Sequence, residues 1–188
     1  MKKIILFTVM TAIFAAATGF SQTSGKLVSS KTQITFFSNT PAEDIKANNS
    51  ASVSTINKES GEVVFSVPMQ GFEFEKALMQ KHFNSDKFLD TKTYPKAKLK
   101  AKITNLSQID LSKDGTYAAY VEGDLTIKDV TKPIKEKGTI TVKSGVYQVN
   151  SKFNVTLADY KITFAEGKPS TNIAKTVEVT VQAEYRNE

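Results

Sequence analysis

Strict two-residue alternation constrains this chain more than any other feature. Val63, Phe65, Val67 and Met69 share one parity, and Ala97, Leu99, Ala101 and Ile103 share another run with Lys96, Lys98, Lys100 and Lys102 between them. Tyr117, Ala119, Val121, Gly123, Leu125 and Ile127 alternate with a mostly polar set. Tyr147, Val149, Ser151, Phe153, Val155 and Leu157 do the same, as do Val177, Val179, Val181, Ala183 and Tyr185. Successive strand side chains point to opposite faces, so each run predicts a strand with one apolar and one wet face. Weaker runs at 33–37, 51–57 and 134–143 bring the expected total to about eight strands.

Turn chemistry separates these runs. Lys58-Glu59-Ser60-Gly61, Lys113-Asp114-Gly115, Thr131-Lys132-Pro133 and Ser144-Gly145 fall between them, and Ser144-Gly145 is the sharpest hairpin signal. Short loops join antiparallel neighbours, and no helical crossover of the kind a parallel sheet needs is visible. Two segments break the pattern. Thr40-Pro41-Ala42-Glu43 has the form of a capping box with Pro at the first helical position, which predicts a single turn of helix. Residues 72–84 predict a longer helix, because Phe74 and Leu78, then Met79 and Phe83, are spaced four apart. An aromatic connector with Phe88, Leu89 and Tyr94 follows. The expected fold is all-β and antiparallel, with about eight strands and one helical insertion between strands three and four. One-faced strands close as a sandwich or as an up-and-down barrel, and the strand lengths and hairpin order favour the barrel. An eight-stranded barrel is either filled by its own side chains or holds one small ligand.

Composition removes most catalytic machinery. The 188 residues include no Cys and one His, which excludes disulfides, thiol nucleophiles, Cys-ligated metals and multi-His metal sites. No Gly-x-Ser-x-Gly elbow is present, and His82 near a helix end suits the helix dipole better than general base work. No enzyme activity, metal or cofactor is expected. Asp110 to Gly115 begins like a calcium loop, but Val121 stands where the bidentate Glu belongs, so it is read as a hairpin turn.

The first residues have the layout of a secretory signal peptide. A basic Met1-Lys2-Lys3 precedes an apolar run of about 14 residues, short of the roughly 20 a spanning helix needs. Small residues including Gly19 and Ser21 follow, so residues 1–21 are expected to be a leader and 22–188 an exported domain, periplasmic or secreted. The formal charge is +6, and the lysine comb at 96–102 reads as a solvated or edge-protecting face. The same comb is compatible with peripheral contact with an anionic membrane surface. No nucleic-acid motif is present. The oligomeric state is left open, a dimer included.

Two stretches carry a family resemblance. Lys81-His82-Phe83-Asn84-Ser85-Asp86-Lys87-Phe88-Leu89-Asp90-Thr91-Lys92-Thr93-Tyr94-Pro95-Lys96-Ala97 resembles the H-L … F-F-D … Y-P … F signature of the YceI-like proteins. Gly123-Asp124-Leu125-Thr126-Ile127-Lys128-Asp129-Val130-Thr131-Lys132-Pro133-Ile134 resembles that family's G-D-L-T-I-x-G-V-T-x-P-V segment, with Asp129 in place of Gly. Met79 and Gln80 stand where members often carry Arg-Asp, and Trp residues common in the early strands are absent. The resemblance implies an exported, lipocalin-like barrel enclosing a lipophilic, polyisoprenoid-type small molecule.

On that reading the lumen is lined by Phe36, Phe65, Val67 and Met69 from the early strands. Phe74, Leu78, Met79, Phe83 and Phe88 come from the insertion, and Leu99, Val121, Leu125, Phe153 and Val155 from the later strands. His82 and Tyr94 are candidates for a polar mouth. Two readings of the insertion stay open: a plug that completes a filled core, or a lid over a lipid tunnel. The filled barrel would be a structural or interaction module that docks through its Lys-rich face.

Overall fold

The computed structural model describes residues 25–163 and 172–186; the expected leader, 1–21, lies outside them. The strands are β1 (Lys26–Asn39), β2 (Asp44–Asn49), β3 (Val53–Asn57), β4 (Glu62–Pro68) and β5 (Phe72–Phe74), then β6 (Lys96–Ile103), β7 (Gly115–Ile127), β8 (Val130–Lys143), β9 (Val146–Thr156) and β10 (Thr176–Arg186). One α-helix, α1 (Ala77–Asn84), lies between β5 and β6. The chain runs β3-β4-β6-β7-β8-β9-β10 around a ring of antiparallel neighbours, and β1 closes it by pairing with β10 on one side and β3 on the other. The result is the expected lipocalin-like eight-stranded barrel, with the helix between its third and fourth strands. Closure matters physically because it gives every ring strand a partner on both sides, with a gap where the β8–β9 ladder covers only 138–143 and 146–151.

The weak alternation of β1 has a structural cause. Ser29 pairs with Tyr185 and Lys31 with Glu184, so Ser30 is an extra residue in the ladder. A bulge of one residue reverses parity. Leu27 therefore points inward before it, and Thr32, Ile34 and Ser38 point inward after it.

The two added strands were not visible in the sequence. After β1 the chain turns at once into β2, with Asn39 opposite Asp44. Thr40 and Glu43 do exchange the capping-box bond, Glu43 N–H donating to Thr40 Oγ1 at 3.1 Å. No helix follows, because residue 44 is already in the β1 ladder. The segment expected to start a helix at 72 instead begins as β5, pairing Ala47 with Phe74 and Asn49 with Phe72. Phe72 and Phe74 are thus two apart on one strand face, and the helix starts only at Ala77. The Thr131-Lys132-Pro133 segment is also strand rather than turn: β7 and β8 are joined by Lys128-Asp129, with Lys128 at φ 55°. Pro133 is tolerated there because β9 pairs with β8 only from Gly138 onward, leaving that stretch with a single ladder.

Buried polar groups hold the awkward corners. Asn49 sits fully buried at the kink between β2 and β3. Its Nδ2 donates to the Pro68 carbonyl at 2.7 Å, and its Oδ1 accepts from Ala51 N–H at 3.0 Å and from the Ser52 hydroxyl at 2.9 Å. At the floor of the barrel Tyr185 is fully buried, and its hydroxyl shares a 2.7 Å hydrogen bond with Ser54. Tyr147 and Val142 pack at the same end, paired in register with Tyr185 and with each other. The Ser144-Gly145 hairpin has both residues at positive φ, 50° and 77°, the two-residue turn expected there.

Two predictions follow from this packing. A Cβ added at Gly123 would run into the Lys100 carbonyl and the Cα of Ala101 on β6. Gly123→Ala should therefore cost about 1–3 kcal/mol in denaturant unfolding, and an unchanged midpoint would show that β6 and β7 do not approach this closely. Burial pushes the Tyr185 phenol up to about 12 from 10.0. The folded state keeps that proton while the unfolded chain loses it, so stability is intact below about pH 10 and declines from there to about pH 12. Tyr185→Phe should remove a component of about 1.4 kcal/mol per pH unit from that alkaline decline, read as the difference between wild-type and variant unfolding curves.

Candidate functional site

The inward side chains do not meet across the middle. Above the tyrosine floor the barrel encloses a cavity of about 370 Å³. Ala119 and Gly138 are small residues on its wall and leave room at the waist. Ala119, Ile140 and Val181 line its deep end, and the cap formed by β5, α1 and the connector covers the other.

The expected lining residues divide clearly. Phe65, Val67 and Met69 reach the cavity from β4 and the turn that follows it, and Leu99 from β6. Val121 and Leu125 line it from β7, and Phe153 and Val155 from β9. Phe36, Phe74, Met79, Phe83 and Phe88 close the capped end. Leu78 does not belong with them. It is 63% exposed, because the helix begins three residues after Phe74 and presents Met79 and Phe83, rather than Leu78, to the barrel. Tyr94 is likewise off the cavity wall, half-buried in the connector. His82 does lie at the rim of the cavity, on the exposed last turn of α1.

Phe83 is the hub of the cap. Its ring lies 5.7 Å from Phe36 in a stacked arrangement, 5.5 Å from Phe72, 4.9 Å from Phe74 and 6.2 Å from Phe88. Offset and edge contacts of this kind add to simple burial. Gln80 fastens the helix to β5: its Nε2 donates to the Phe72 carbonyl at 2.7 Å and its Oε1 accepts from Phe74 N–H at 3.1 Å. Among the described residues the rim carries one ion pair, Lys76 Nζ to Glu43 at 2.7 Å, which links the base of α1 to the β1–β2 turn.

Lys128 joins two sequence motifs that lie forty residues apart. Its ammonium donates to the Phe88 carbonyl at 3.0 Å and stands 5.8 Å from the centre of the Tyr94 ring. Tyr94 is thus a strut between the connector and the β7–β8 turn, which is why it stays off the mouth.

Polar groups on the cavity wall are few. Ser38 is buried and accepts the Ala174 N–H at 2.8 Å. Glu136 faces inward from β8, and burial pushes its carboxyl above the ordinary range. Sequence reading missed Glu136 because β8 was read only as a weak strand, without assigning its inward parity. Asp110, the residue that starts the calcium-like stretch, spends one carboxylate oxygen on Ser112, accepting from its N–H at 3.0 Å and its hydroxyl at 2.6 Å. Those bonds hold its carboxyl below the usual range. The lysine comb alternates outward, with Lys102 opposite Glu62 and Glu122 and Lys100 opposite Asp124, although Lys98, exposed on the same face, also borders the cavity. A hydrocarbon wall of this shape can hold an apolar chain by burial and dispersion, without covalent chemistry.

The description "YceI-like domain" matches residues 5–185. Among solved structures, a polyisoprenoid binding domain from Saccharophagus degradans implicated in plant cell wall breakdown aligns with a TM-score of 0.73 at 14% identity, covering 88% of this chain and 99% of that one. BcnA of Burkholderia cenocepacia aligns with a TM-score of 0.67 at 12% identity, over 81% of this chain and 95% of its own. A Campylobacter jejuni YceI protein aligns at 0.56 and 16% identity, over 73% and 81%. No curated protein matches the sequence. With a ring of eight antiparallel strands, an aromatic cap and a family match over nearly its whole length, the chain belongs to the YceI-like family.

Proposed function

We propose that this protein is an exported carrier or scavenger that holds a long apolar chain, of polyisoprenoid type, inside the barrel. The observation that carries the reading is the cavity of about 370 Å³ with its almost wholly hydrocarbon wall, capped by Phe83. The ligand class draws further support from the Saccharophagus domain, which is described as polyisoprenoid-binding. Export is supported by the basic and then apolar start of the chain.

The energetics are adequate. Burial is worth roughly 0.8 kcal/mol per methylene, so about ten sequestered carbons give on the order of 8 kcal/mol gross. That is near micromolar affinity before the costs of ordering the chain are subtracted. The aromatic cluster and the Gln80 clamp cover one end of the cavity and add to retention there.

Organic extraction of the purified protein followed by mass spectrometry should return an apolar chain in roughly stoichiometric amount. Repeated recovery of nothing, with no uptake of an added farnesyl probe, would remove the carrier reading. Ala119 is a small residue on the cavity wall, so Ala119→Phe should fill the lumen. Probe affinity should fall more than tenfold while the far-ultraviolet circular dichroism spectrum stays that of the wild type.

A further inference from the structure

The inward face of β8 breaks its own pattern once. Ile134, Gly138, Ile140 and Val142 share the inward parity, and Glu136 sits among them, opposite Val121 of β7. A carboxylate at an inward position of an oily barrel is unfavourable unless something compensates it. Among the described residues no hydrogen bond or ion pair reaches Glu136. Its strand neighbours Lys135 and Lys137 alternate outward, and Lys135 is paired with Glu122 at 3.2 Å. On β7, Glu122 and Asp124 take the outward parity, and Lys152 of β9 pairs with Glu178 at 2.9 Å. Asp159 and Lys161, after β9, are exposed, and at the rim Glu43 is held by Lys76 while His82 is exposed.

The wall beside Glu136 is open in a specific way. The β8–β9 ladder ends at Gly138 and Ser151, and the Ser151 hydroxyl donates to the Lys137 carbonyl at 2.9 Å across that last rung. Beyond it Phe153 and Val155 line the cavity without a backbone partner on β8. Gly138, the next inward residue, has no side chain to crowd the carboxyl. Glu136 therefore borders free volume rather than packed neighbours.

We infer that Glu136 is the polar recognition point of the lumen, accepting a hydrogen bond from a hydroxyl or ammonium group on the bound chain and disfavouring chains that end in phosphate or carboxylate. An ionised carboxylate only accepts hydrogen bonds, so its complement is a donor. A second anion beside it in a low-dielectric cavity is repelled. The inference rests on the carrier reading and adds to it the chemistry of the ligand's polar group.

The test uses the delipidated full chain and four probes sharing one carbon skeleton: farnesol, farnesylamine, farnesyl diphosphate and farnesane. Each competes with a bound apolar fluorophore on wild type, Glu136→Leu and Glu136→Gln. Wild type should bind the alcohol and the amine at least tenfold more tightly than the hydrocarbon and the diphosphate. Glu136→Leu should erase the preference for alcohol over hydrocarbon without weakening hydrocarbon binding. Glu136→Gln should keep the alcohol, through its amide oxygen, and lose the advantage of the amine. Glu136→Leu should also raise the thermal midpoint of the ligand-free protein, because the uncompensated carboxyl is gone. Equal binding of all four probes to wild type, or a preference that survives in Glu136→Leu, overturns the assignment of Glu136 while leaving the carrier reading standing. A lowered midpoint in Glu136→Leu also overturns it, by showing that the carboxyl is already satisfied within the protein. Failure of every probe, hydrocarbon included, overturns the carrier reading and this inference with it.

Discussion

Everything in this protein depends on the ladder between β1 and β10. Without that pairing the first and last ring strands would be exposed edges, and the inward face would have no enclosed side to point toward. The junction joins residues about 150 apart, Ser29 with Tyr185 through Phe37 with Glu178. It is also where the structure tolerates most irregularity. Strand β1 serves β10 along one side while the other side pairs first with β3 and then with β2. The bulge at Ser30 makes this possible, because it turns the strand and resets which residues face in.

The lumen is hollow because large and small residues are sorted along the barrel axis. Tyrosines fill the floor, phenylalanines fill the cap, and the waist carries the small residues Ala119 and Gly138. Gly123 serves the wall itself, since β6 and β7 approach so closely there that no side chain fits between them. An unfilled apolar space leaves its walls without dispersion partners, a cost that an apolar guest would offset. The same sorting separates rigidity from access. The floor is tied by a hydrogen bond between fully buried groups, whereas the cap is held by α1, of two turns, through Gln80 and one rim ion pair.

Much of this was legible in the residues. The eight ring strands were all signalled, five of them by alternation alone, because a strand with one wet face writes its geometry into every second position. The aromatic clustering of the cap was also visible, as were most of the residues that reach the cavity. The illegible parts share a cause. Strand β5 has three residues, too few for a period to declare itself, β2 places a polar Asn49 on its inward face after only Ile45 and Ala47, and Phe74 four before Leu78 mimics a helix that has not begun. Leu78 and Tyr94 were misplaced because spacing says which residues share a face but not which face is turned to the barrel. Glu136 was overlooked because the apolar pattern around it is interrupted by Gly138, which weakened the signal on both sides.

What the sequence determined by itself was the set of one-faced strands, their antiparallel order and the exclusion of thiol and multi-histidine chemistry, all consequences of local residue type and parity. Whether the ring would close, and whether its centre would be filled, was decided only in three dimensions. Closure depends on a pairing between the two ends of the chain, and emptiness depends on how inward side chains from eight strands add up across a diameter. Neither quantity is local, so no window of residues contains it. The carboxyl of Glu136 makes the point at one position: its neighbours in sequence are lysines, yet its neighbours in space are the oily walls of the lumen.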